Sequence, residues 1–188
     1  DYGRWGLGVE THPTTVSATG GKYFFDDDQE FPDTQQVSFE YPGDGKPGSQ
    51  KMLIYEQRLW STNYPHNVDS GVEFYGTKGQ MFLSRRGKIE VFGDRNKRIK
   101  VDVAPEAQNA EKHVANFLHC VRTGEKPNGD IELGHLTTTL CHLGNLATRL
   151  GRSLKFDPET EQIIGDDEAN ALVSRKYRDH WGTPLDRG

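Results

Sequence analysis

Residues 106–151, EAQNAEKHVANFLHCVRTGEKPNGDIELGHLTTTLCHLGNLATRLG, contain the two patterns that decide the fold. The second half of this stretch predicts one long amphipathic helix, because its apolar residues recur at helical spacing. Asp130 is placed to cap the first turn of that helix, and Gly151 stands where a left-handed C-cap is expected. The apolar stripe consists of Leu133, Leu136, Leu140, Leu143, Ala147 and Leu150.

A first helix is predicted just upstream, joined to the second by a short turn. Pro105 lies near its start and Gly124 just past its end, positions that favour helix initiation and termination. An apolar stripe needs a partner surface, and the residues before 104 predict strands. We therefore expect both helices to pack across one face of a sheet. The apolar face of the first helix comprises Ala110, Val114, Phe117, Leu118 and Val121.

Composition limits the class of protein. The 188 residues are enough for one domain with a core, and 33% hydrophobic residues with 21 glycines suit a sheet with one wet face. The net charge of −5 argues against a nucleic-acid partner, and no apolar run is long enough for a membrane span. The chain starts at Asp1 rather than Met, so we expect a processed or trimmed chain or a fragment. Its localisation cannot be read from this N-terminus, and the cytoplasm is the default expectation.

Strand patterns dominate the first hundred residues, which predict about seven strands joined mostly by hairpins and therefore antiparallel. Residues 34–41 alternate apolar and polar side chains as a half-buried strand does, and residues 15–25 predict an extended run interrupted by a glycine pair. Residues 1–8 predict the tail of a helix, while a short strand at 154–156 and a helical piece near 167–173 follow the helix pair. The predicted fold class is α+β, a mostly antiparallel open β-sheet with a helix pair packed on one face.

The cysteine and histidine pairs do not predict a metal site. Cys120 and Cys141 fall on the predicted helices, where we expect two buried free thiols. The pairs His119–Cys120 and Cys141–His142 resemble zinc ligands, but adjacent residues on a helix diverge by about 100° and cannot chelate one ion together. The three adjacent acids at 26–28 predict a solvated loop, because neighbouring side chains on an extended backbone point to opposite sides.

Several stretches, taken in order, carry a resemblance to a known family. They are DYGRWGLG at 1–8, GVEFYGTKG at 71–79, HVANFLHCVRTGEKP at 113–127, the run 134–151 and the closing run 168–178. Together they resemble the C-terminal domain of the Gfo/Idh/MocA family of NAD(P)-dependent oxidoreductases, and most closely its members from environmental bacteria with a long glycine-rich early segment. The resemblance covers nearly the whole chain and implies a glyceraldehyde-3-phosphate-dehydrogenase-like C-terminal domain.

The resemblance implies a two-domain enzyme in which residues 1–188 form the single C-terminal substrate-binding and oligomerisation domain. The family's N-terminal half is a Rossmann domain that holds NAD or NADP, and no strand–GxGxxG–helix unit is recognised here. The family's catalytic Asp-x-x-x-His-x-x-Asp stretch matches only at its last residue, Asp1, so we expect no catalytic residue and no cofactor bound to this chain alone. Residues 125–127 spell the family's Glu-Lys-Pro motif, but they lie between the two helices, and we interpret them as turn chemistry.

The resemblance also implies where substrate is contacted, namely the loop just before the strand at 72–75. Phenol, imidazole, amide and carboxylate groups offer the mixed donors and acceptors that suit a polyol, although an ordinary polar connector has the same composition. His135, in the first turn of the long helix, is expected to face the cofactor-domain cleft, because a helix N-terminus attracts anions; the alternative is a partly exposed histidine without a ligand. The loop residues matched are Tyr64, His66, Asn67, Val68 and Asp69, with Val68 standing where some sugar-acting members have an aromatic residue.

Three functional hypotheses follow. The favoured one is a domain of a nicotinamide-dependent oxidoreductase acting on a sugar, polyol or related compound, in which a hydride passes between the nicotinamide C4 and a carbinol carbon. The second is the equivalent domain of an NAD-using glycoside hydrolase of the same family, and the third is a stand-alone dimerisation or binding module. We expect a homo-oligomer through the exposed sheet face, because Phe39 and Tyr41, and Met52 and Tyr55, place large apolar side chains on both faces.

Overall fold

The computed structural model of the protein describes residues 1–104, 109–174 and 178. Pro105, predicted near the start of a helix, and residues 175–177 of the closing run lie outside these ranges. The helices are α1 (Tyr2–Leu7), α2 (Ala110–Thr123), α3 (Ile131–Leu150) and α4 (Asp167–Ala171). The strands are β1 (Thr15–Gly21), β2 (Thr34–Tyr41), β3 (Lys51–Arg58), β4 (Gly71–Gly76), β5 (Gly79–Ser84), β6 (Ile89–Phe92), β7 (Arg98–Ile99), β8 (Leu154–Asp157) and β9 (Gln162–Ile163).

In the described part of the chain the strands form two sheets. One has five strands in the order β3-β2-β1-β8-β9, and the other has four in the order β4-β5-β6-β7. Neighbouring strands run antiparallel throughout both. The α+β class with mostly antiparallel strands is therefore confirmed. No helix within the described ranges is long and apolar enough to cross a membrane.

Three of the predicted helix ends, at Gly124, Asp130 and Gly151, are confirmed by their caps, whereas α2 starts at an Asn109 cap that was not predicted. The Asn109 side chain accepts hydrogen bonds from two backbone N–H groups at the start of α2, and Asp130 accepts one at the start of α3. Gly124 and Gly151 end the two helices with φ of 77° and 65°, the left-handed conformation that glycine adopts without a steric cost.

Helix α3 supplies the helical side of the core by packing on β1 and β2. Leu143 is 2% exposed there, and its burial contributes about 1.5–3 kcal/mol. A Cβ on Gly144 would lie 3.1 Å from Cγ2 of Val37, so glycine at this position lets the helix approach the sheet closely. The buried Gln35 amide adds a polar tie by donating to the Thr148 hydroxyl over 2.7 Å. The core also contains Val9, Val16, Phe39, Tyr41, Leu140, Ala147, Leu154, Phe156, Ile163 and Ala169.

Helix α2 forms as predicted, but the expectation that it packs on the sheet is wrong. Phe117 is 56% and Val121 67% exposed, and Val114 and Leu118 are exposed as well. An amphipathic pattern identifies the apolar face of a helix and not the surface that covers it. Of the helices in the described residues, α3 is the one that packs on β1 and β2.

The two cysteines are free, as predicted, but they differ in burial. Cys120 on α2 is buried, whereas Cys141 on α3 is exposed, so the expectation of two buried thiols is wrong for Cys141. The buried side of α3 is formed by Leu140, Leu143, Gly144 and Ala147, and residue 141 lies off that side.

Residues 23–25 do not extend β1, which is a correction to the predicted strand through 25. The buried Asp33 carboxylate accepts the backbone N–H groups of Tyr23, Phe24 and Phe25 over 2.9–3.2 Å, so these donors are not available to a neighbouring strand. Burial raises the pKa of Asp33, but these hydrogen bonds and one from the Thr34 hydroxyl outweigh it and leave the pKa well below its usual value.

Helix α1 lies against both sheets through two glycines. A Cβ on Gly3 would meet Cδ1 of Leu53 on β3 at 2.7 Å, and a Cβ on Gly6 would meet the Phe74 ring on β4 at 2.1 Å. Gly8 ends the helix with φ of 61°. This six-residue helix therefore joins the five-stranded sheet to the four-stranded sheet.

The aromatic residues of β2 do not belong to an exposed sheet face. Phe39 and Tyr41 are 3% and 2% exposed in the core, which corrects the assignment of these two residues to an interface. Met52 and Ile54 on β3 are 56% and 53% exposed and lie on the side opposite Leu53, which packs against the core.

Candidate functional site

The loop predicted to contact substrate joins β3 to β4 and contains a 3-10 turn at Pro65–Asn67. His66 and Asn67 both have φ of 55°, a left-handed backbone that asparagine tolerates better than most residues. The backbone carbonyl of His66 accepts a hydrogen bond from Nζ of Lys88 over 2.8 Å. Asp69 pairs with Arg86 at 3.0 Å. The loop is therefore fixed to the four-stranded sheet by side chains of the β5–β6 hairpin.

The His66 imidazole is the centre of this anchor. Its Nε2 lies 2.8 Å from Oε1 of Glu73, and its Nδ1 lies 3.3 Å from Oε2 of Glu90. Both contacts are hydrogen bonds at once only when the ring carries protons on both nitrogens. The ring also stacks on Phe82, with centroids 4.0 Å apart. Both nitrogens of His66 are thus directed at glutamates of the sheet.

Glu73 receives further hydrogen bonds. The Tyr75 hydroxyl donates to Oε2 of Glu73 over 2.7 Å, and this bond lowers the pKa of the carboxyl. Burial acts in the opposite direction, and the contact with His66 lowers the pKa further. The carboxylate is therefore held in its charged form beside the imidazole.

Three of the other loop residues have exposed side chains, and Val68 is half-buried. Tyr64 is 46% exposed, and the side chains of Asn67 and Asp69 are exposed too. The phenol of Tyr64 and the amide of Asn67 thus stand on a backbone that His66 fixes, an arrangement able to exchange hydrogen bonds with a hydroxylated ligand, whereas the Asp69 carboxylate is already paired with Arg86.

A second cluster of functional groups lies at the start of α3. His135 Nε2 lies 2.7 Å from Oε1 of Glu161, in the β8–β9 turn, and His12 Nε2 lies 3.0 Å from the same oxygen. The two imidazole rings are nearly perpendicular, with centroids 5.5 Å apart. The hydrogen bond from His135 lowers the pKa of Glu161, burial opposes it, and the bond from His12 lowers it further.

His12 is the buried member of this cluster. Its side chain is 4% exposed, compared with 52% for His135 and 44% for Glu161. The ring packs edge-on against Phe156, and Nδ1 is buried without a hydrogen-bond partner among the described residues. Two imidazoles and one carboxylate therefore converge on one point that is open to solvent on one side.

Two residues further along α3, Thr137 contacts the start of the chain. Its hydroxyl donates to the Asp1 carboxylate, and Nε of Arg4 donates to the Thr137 hydroxyl oxygen over 3.5 Å. Arg4 is 2% exposed, and its Nη1 donates to the Val9 carbonyl over 2.9 Å. Its Nη2 has no hydrogen-bond partner within the described ranges, and neither has the buried hydroxyl of Tyr41. Burial raises the pKa of Tyr41 to about 12, although the charge of Arg4 opposes the rise.

Lys126, the central residue of the Glu-Lys-Pro sequence at 125–127, forms ion pairs with residues close to it in the chain. Its Nζ lies 2.8 Å from the Asp130 carboxylate and 3.1 Å from that of Glu132, and the two acids raise its pKa, Asp130 more strongly. It thus ties the α2–α3 turn to the first turn of α3, as the interpretation as turn chemistry requires.

The sequence-predicted site residues therefore fall in two places. Tyr64, His66, Asn67 and Asp69 share one loop on the four-stranded sheet, whereas His135 lies on α3 above the other sheet. Three residues around His135 and the start of α3 were not predicted from the sequence, because each lies in a loop or short helix far along the chain from its partners. They are Arg4, His12 and Glu161.

Comparison with known proteins defines the class. A family model described as the C-terminal alpha/beta domain of an oxidoreductase family, GFO_IDH_MocA_C2, matches residues 59–183, more than half of the chain. The chain belongs to this family. Among curated proteins no sequence matches it significantly.

Two solved structures share the fold. An oxidoreductase from Agrobacterium radiobacter in complex with NAD+, L-tartaric acid and magnesium has a TM-score of 0.56 at 15% identity, over 81% of this chain and 45% of that one. UDP-N-acetylglucosamine 3-dehydrogenase from Acidithiobacillus ferrooxidans has a TM-score of 0.54 at 12% identity, over 76% of this chain and 42% of that one. The chain thus spans less than half the length of either protein.

The GxGxxG stretch at residues 43–48 does not have the structure of a dinucleotide-binding turn. The letters GxGxxG occur at residues 43–48, but this segment joins the antiparallel strands β2 and β3. A dinucleotide site needs a helix whose N-terminus receives the pyrophosphate directly after the glycine turn. No helix follows this turn, which leads into Lys51 of β3.

Proposed function

We propose that this chain is the substrate-binding and oligomerisation domain of a nicotinamide-dependent oxidoreductase that acts on a sugar, a polyol or a related compound. The observation that carries the proposal is the loop before β4, in which the His66 anchor fixes the backbone while Tyr64 and Asn67 face solvent. The fold relatives support the substrate class, since one is a dehydrogenase of a UDP-linked sugar and the other was solved with L-tartaric acid.

The first experiment screens the protein at its full natural length against sugars and polyols, following the absorbance of NADH or NADPH. Asn67→Gly is then compared with the wild type on the best substrate. Asn67 has φ of 55°, so glycine removes the amide without straining the backbone. We expect KM to rise while kcat changes little, because the amide binds ground state and transition state alike.

A matched control is available on the same sheet. Asn96 also has a left-handed backbone, with φ of 60°, at the end of a 3-10 turn, and it is exposed. Asn96→Gly therefore makes the same chemical change away from the loop. Equal KM values for Asn67→Gly and Asn96→Gly, or no turnover of any sugar or polyol, would contradict the proposal.

His66→Ala tests whether the imidazole acts only through the loop. Its nitrogens contact Glu73 and Glu90, so we expect a larger rise in KM than fall in kcat. A fall in kcat with an unchanged KM would instead assign a chemical role to His66.

The nicotinamide cofactor is proposed to bind outside this chain, on a Rossmann domain, because the glycines at 43–48 lie in a hairpin. We expect the 188-residue chain alone to show no saturable change in tryptophan fluorescence with NADH and no turnover of any sugar. Saturation at micromolar NADH would refute this assignment.

Self-association is proposed through the outer face of β3. Met52 and Ile54 place two exposed apolar side chains on the side of the sheet opposite the core. We expect light scattering on the full-length protein to give at least a dimer, with Ile54→Lys shifting the mass towards the monomer. A monomeric wild type would contradict this interface.

A further inference from the structure

His12, His135 and Glu161 come from three separate parts of the chain. His12 precedes β1, His135 lies at the start of the second turn of α3 rather than in the first turn as predicted, and Glu161 lies in the β8–β9 turn. One ligand atom from each lies within 4.8 Å of the other two. Within residues 1–104 and 109–174 this is the one such group of three.

We propose that these three residues bind a divalent transition-metal ion of the zinc type. Imidazole nitrogen and carboxylate oxygen are the ligands such ions prefer, and two histidines with one glutamate form a recurrent set. At metal–ligand distances near 2.1 Å, ligand atoms of a tetrahedral site lie about 3.4 Å apart. The two Nε2 atoms lie 2.7 and 3.0 Å from Oε1 of Glu161, so an ion needs only a small outward shift of each group.

The direction of the rings supports the same reading. Both Nε2 atoms point to one carboxylate oxygen from ring planes at 87° to each other, so the two nitrogens approach from different directions and would release their protons there when an ion binds. His12 is held by burial and by the edge of Phe156, which fixes one ligand in advance. A preformed ligand reduces the ordering cost of binding.

The site keeps one side open. His135 and Glu161 are about half exposed, so a fourth coordination position faces solvent, as in sites with three protein ligands and a bound water. The ion would thus join α3 to the β8–β9 turn and leave its open position towards solvent.

The test is a metal titration of the purified protein at its full natural length after removal of metals with EDTA. Co2+ is the probe, because its visible absorption reports four- or five-coordinate nitrogen and oxygen ligands, and Zn2+ is added afterwards as competitor. The variants are His135→Ala, which removes a half-exposed ligand, and Glu161→Gly. Glu161 has φ of 53°, so glycine removes the carboxylate while relieving backbone strain.

His119→Ala is the matched control, because His119 on α2 pairs with Glu125 at 3.2 Å without a second histidine. We expect one Co2+ per chain, displaced by Zn2+, in the wild type and in His119→Ala. Loss of an outer-shell partner alone costs about 10–100-fold in affinity, so each ligand variant should bind at least about 100-fold more weakly.

Two results would overturn the proposal. A wild type that shows no stoichiometric Co2+ absorption would mean that the cluster is only a hydrogen-bonded contact. Equal binding by His135→Ala, Glu161→Gly and His119→Ala would mean that the ion binds elsewhere. Circular dichroism of Glu161→Gly, expected to match the wild type, separates loss of the site from loss of the fold.

Discussion

The contact between α1 and β4 makes a sharp prediction about Gly6→Ala. A Cβ at this position would lie 2.1 Å from Cζ, 2.2 Å from Cε1 and 3.0 Å from Cε2 of Phe74, so the whole ring or the helix must move. Such overpacking costs about 1–3 kcal/mol. The intrinsic helix preference of alanine over glycine returns at most about 1 kcal/mol. We therefore expect Gly6→Ala to be destabilising overall.

Gly3→Ala is the internal comparison, because it lies in the same short helix and gains the same helix preference. Its Cβ would meet mainly the Cδ1 end of Leu53, at 2.7 Å, which a flexible side chain can move. The expected difference in free energy of unfolding between the variants is about 1–3 kcal/mol. With a urea dependence of about 2–3 kcal/mol/M, the unfolding midpoint of Gly6→Ala should lie about 0.3–1.5 M below that of Gly3→Ala.

The assay is urea unfolding of both variants, followed by far-UV circular dichroism and by tryptophan fluorescence. Trp5 lies in α1 between the two glycines and reports the helix directly. Coincident midpoints for the two variants, or a higher midpoint for Gly6→Ala, would refute the reasoning that the Phe74 ring fixes α1 against β4.

Three further predictions concern stability, pH and thiol chemistry. Leu143 is 2% exposed and Val121 is 67% exposed. Leu143→Ala should therefore lower the free energy of unfolding by about 2–5 kcal/mol, whereas Val121→Ala should change it by less than about 0.5 kcal/mol. Calorimetry of the two variants measures this difference. Asp33→Asn should be destabilising at pH 6. The difference in urea midpoint between wild type and variant should narrow as the pH falls below 3.8, the usual pKa of an aspartate, because a carboxyl whose pKa is lowered in the folded state loses its stabilising effect as it is protonated. A water-soluble thiol reagent should modify Cys141 rapidly and Cys120 only after unfolding; equal rates would contradict the burial difference.

Local signals in the sequence predicted much of the fold. The caps Asp130 and Gly151 and the alternation in β2 act over a few residues, so the helix and strand they define were recoverable from the chain alone. Residues 23–25 were wrongly predicted as strand, because their aromatic side chains favour a strand. No local sequence pattern indicates that the Asp33 carboxylate accepts hydrogen bonds from their backbone N–H groups.

The candidate sites were recoverable only in part. The loop residues Tyr64 to Asp69 are contiguous, so a resemblance could locate them together, but the two glutamates that bind His66 lie on other strands. His12 and Glu161 are separated by 149 positions, and no spacing rule relates them. Pairing of this kind is set by how β1, β8 and β9 assemble, which is a property of tertiary structure.

The exposed face of α2 has a practical consequence for the production of this chain by itself. Phe117, Leu118 and Val121 form an apolar strip that two copies can bury against each other at high concentration. A measured mass above that of the monomer would then indicate association of the isolated chain through α2 rather than through the outer face of β3. Val121→Lys places a charge in the strip, so comparing it with Ile54→Lys across a dilution series separates the two modes of association.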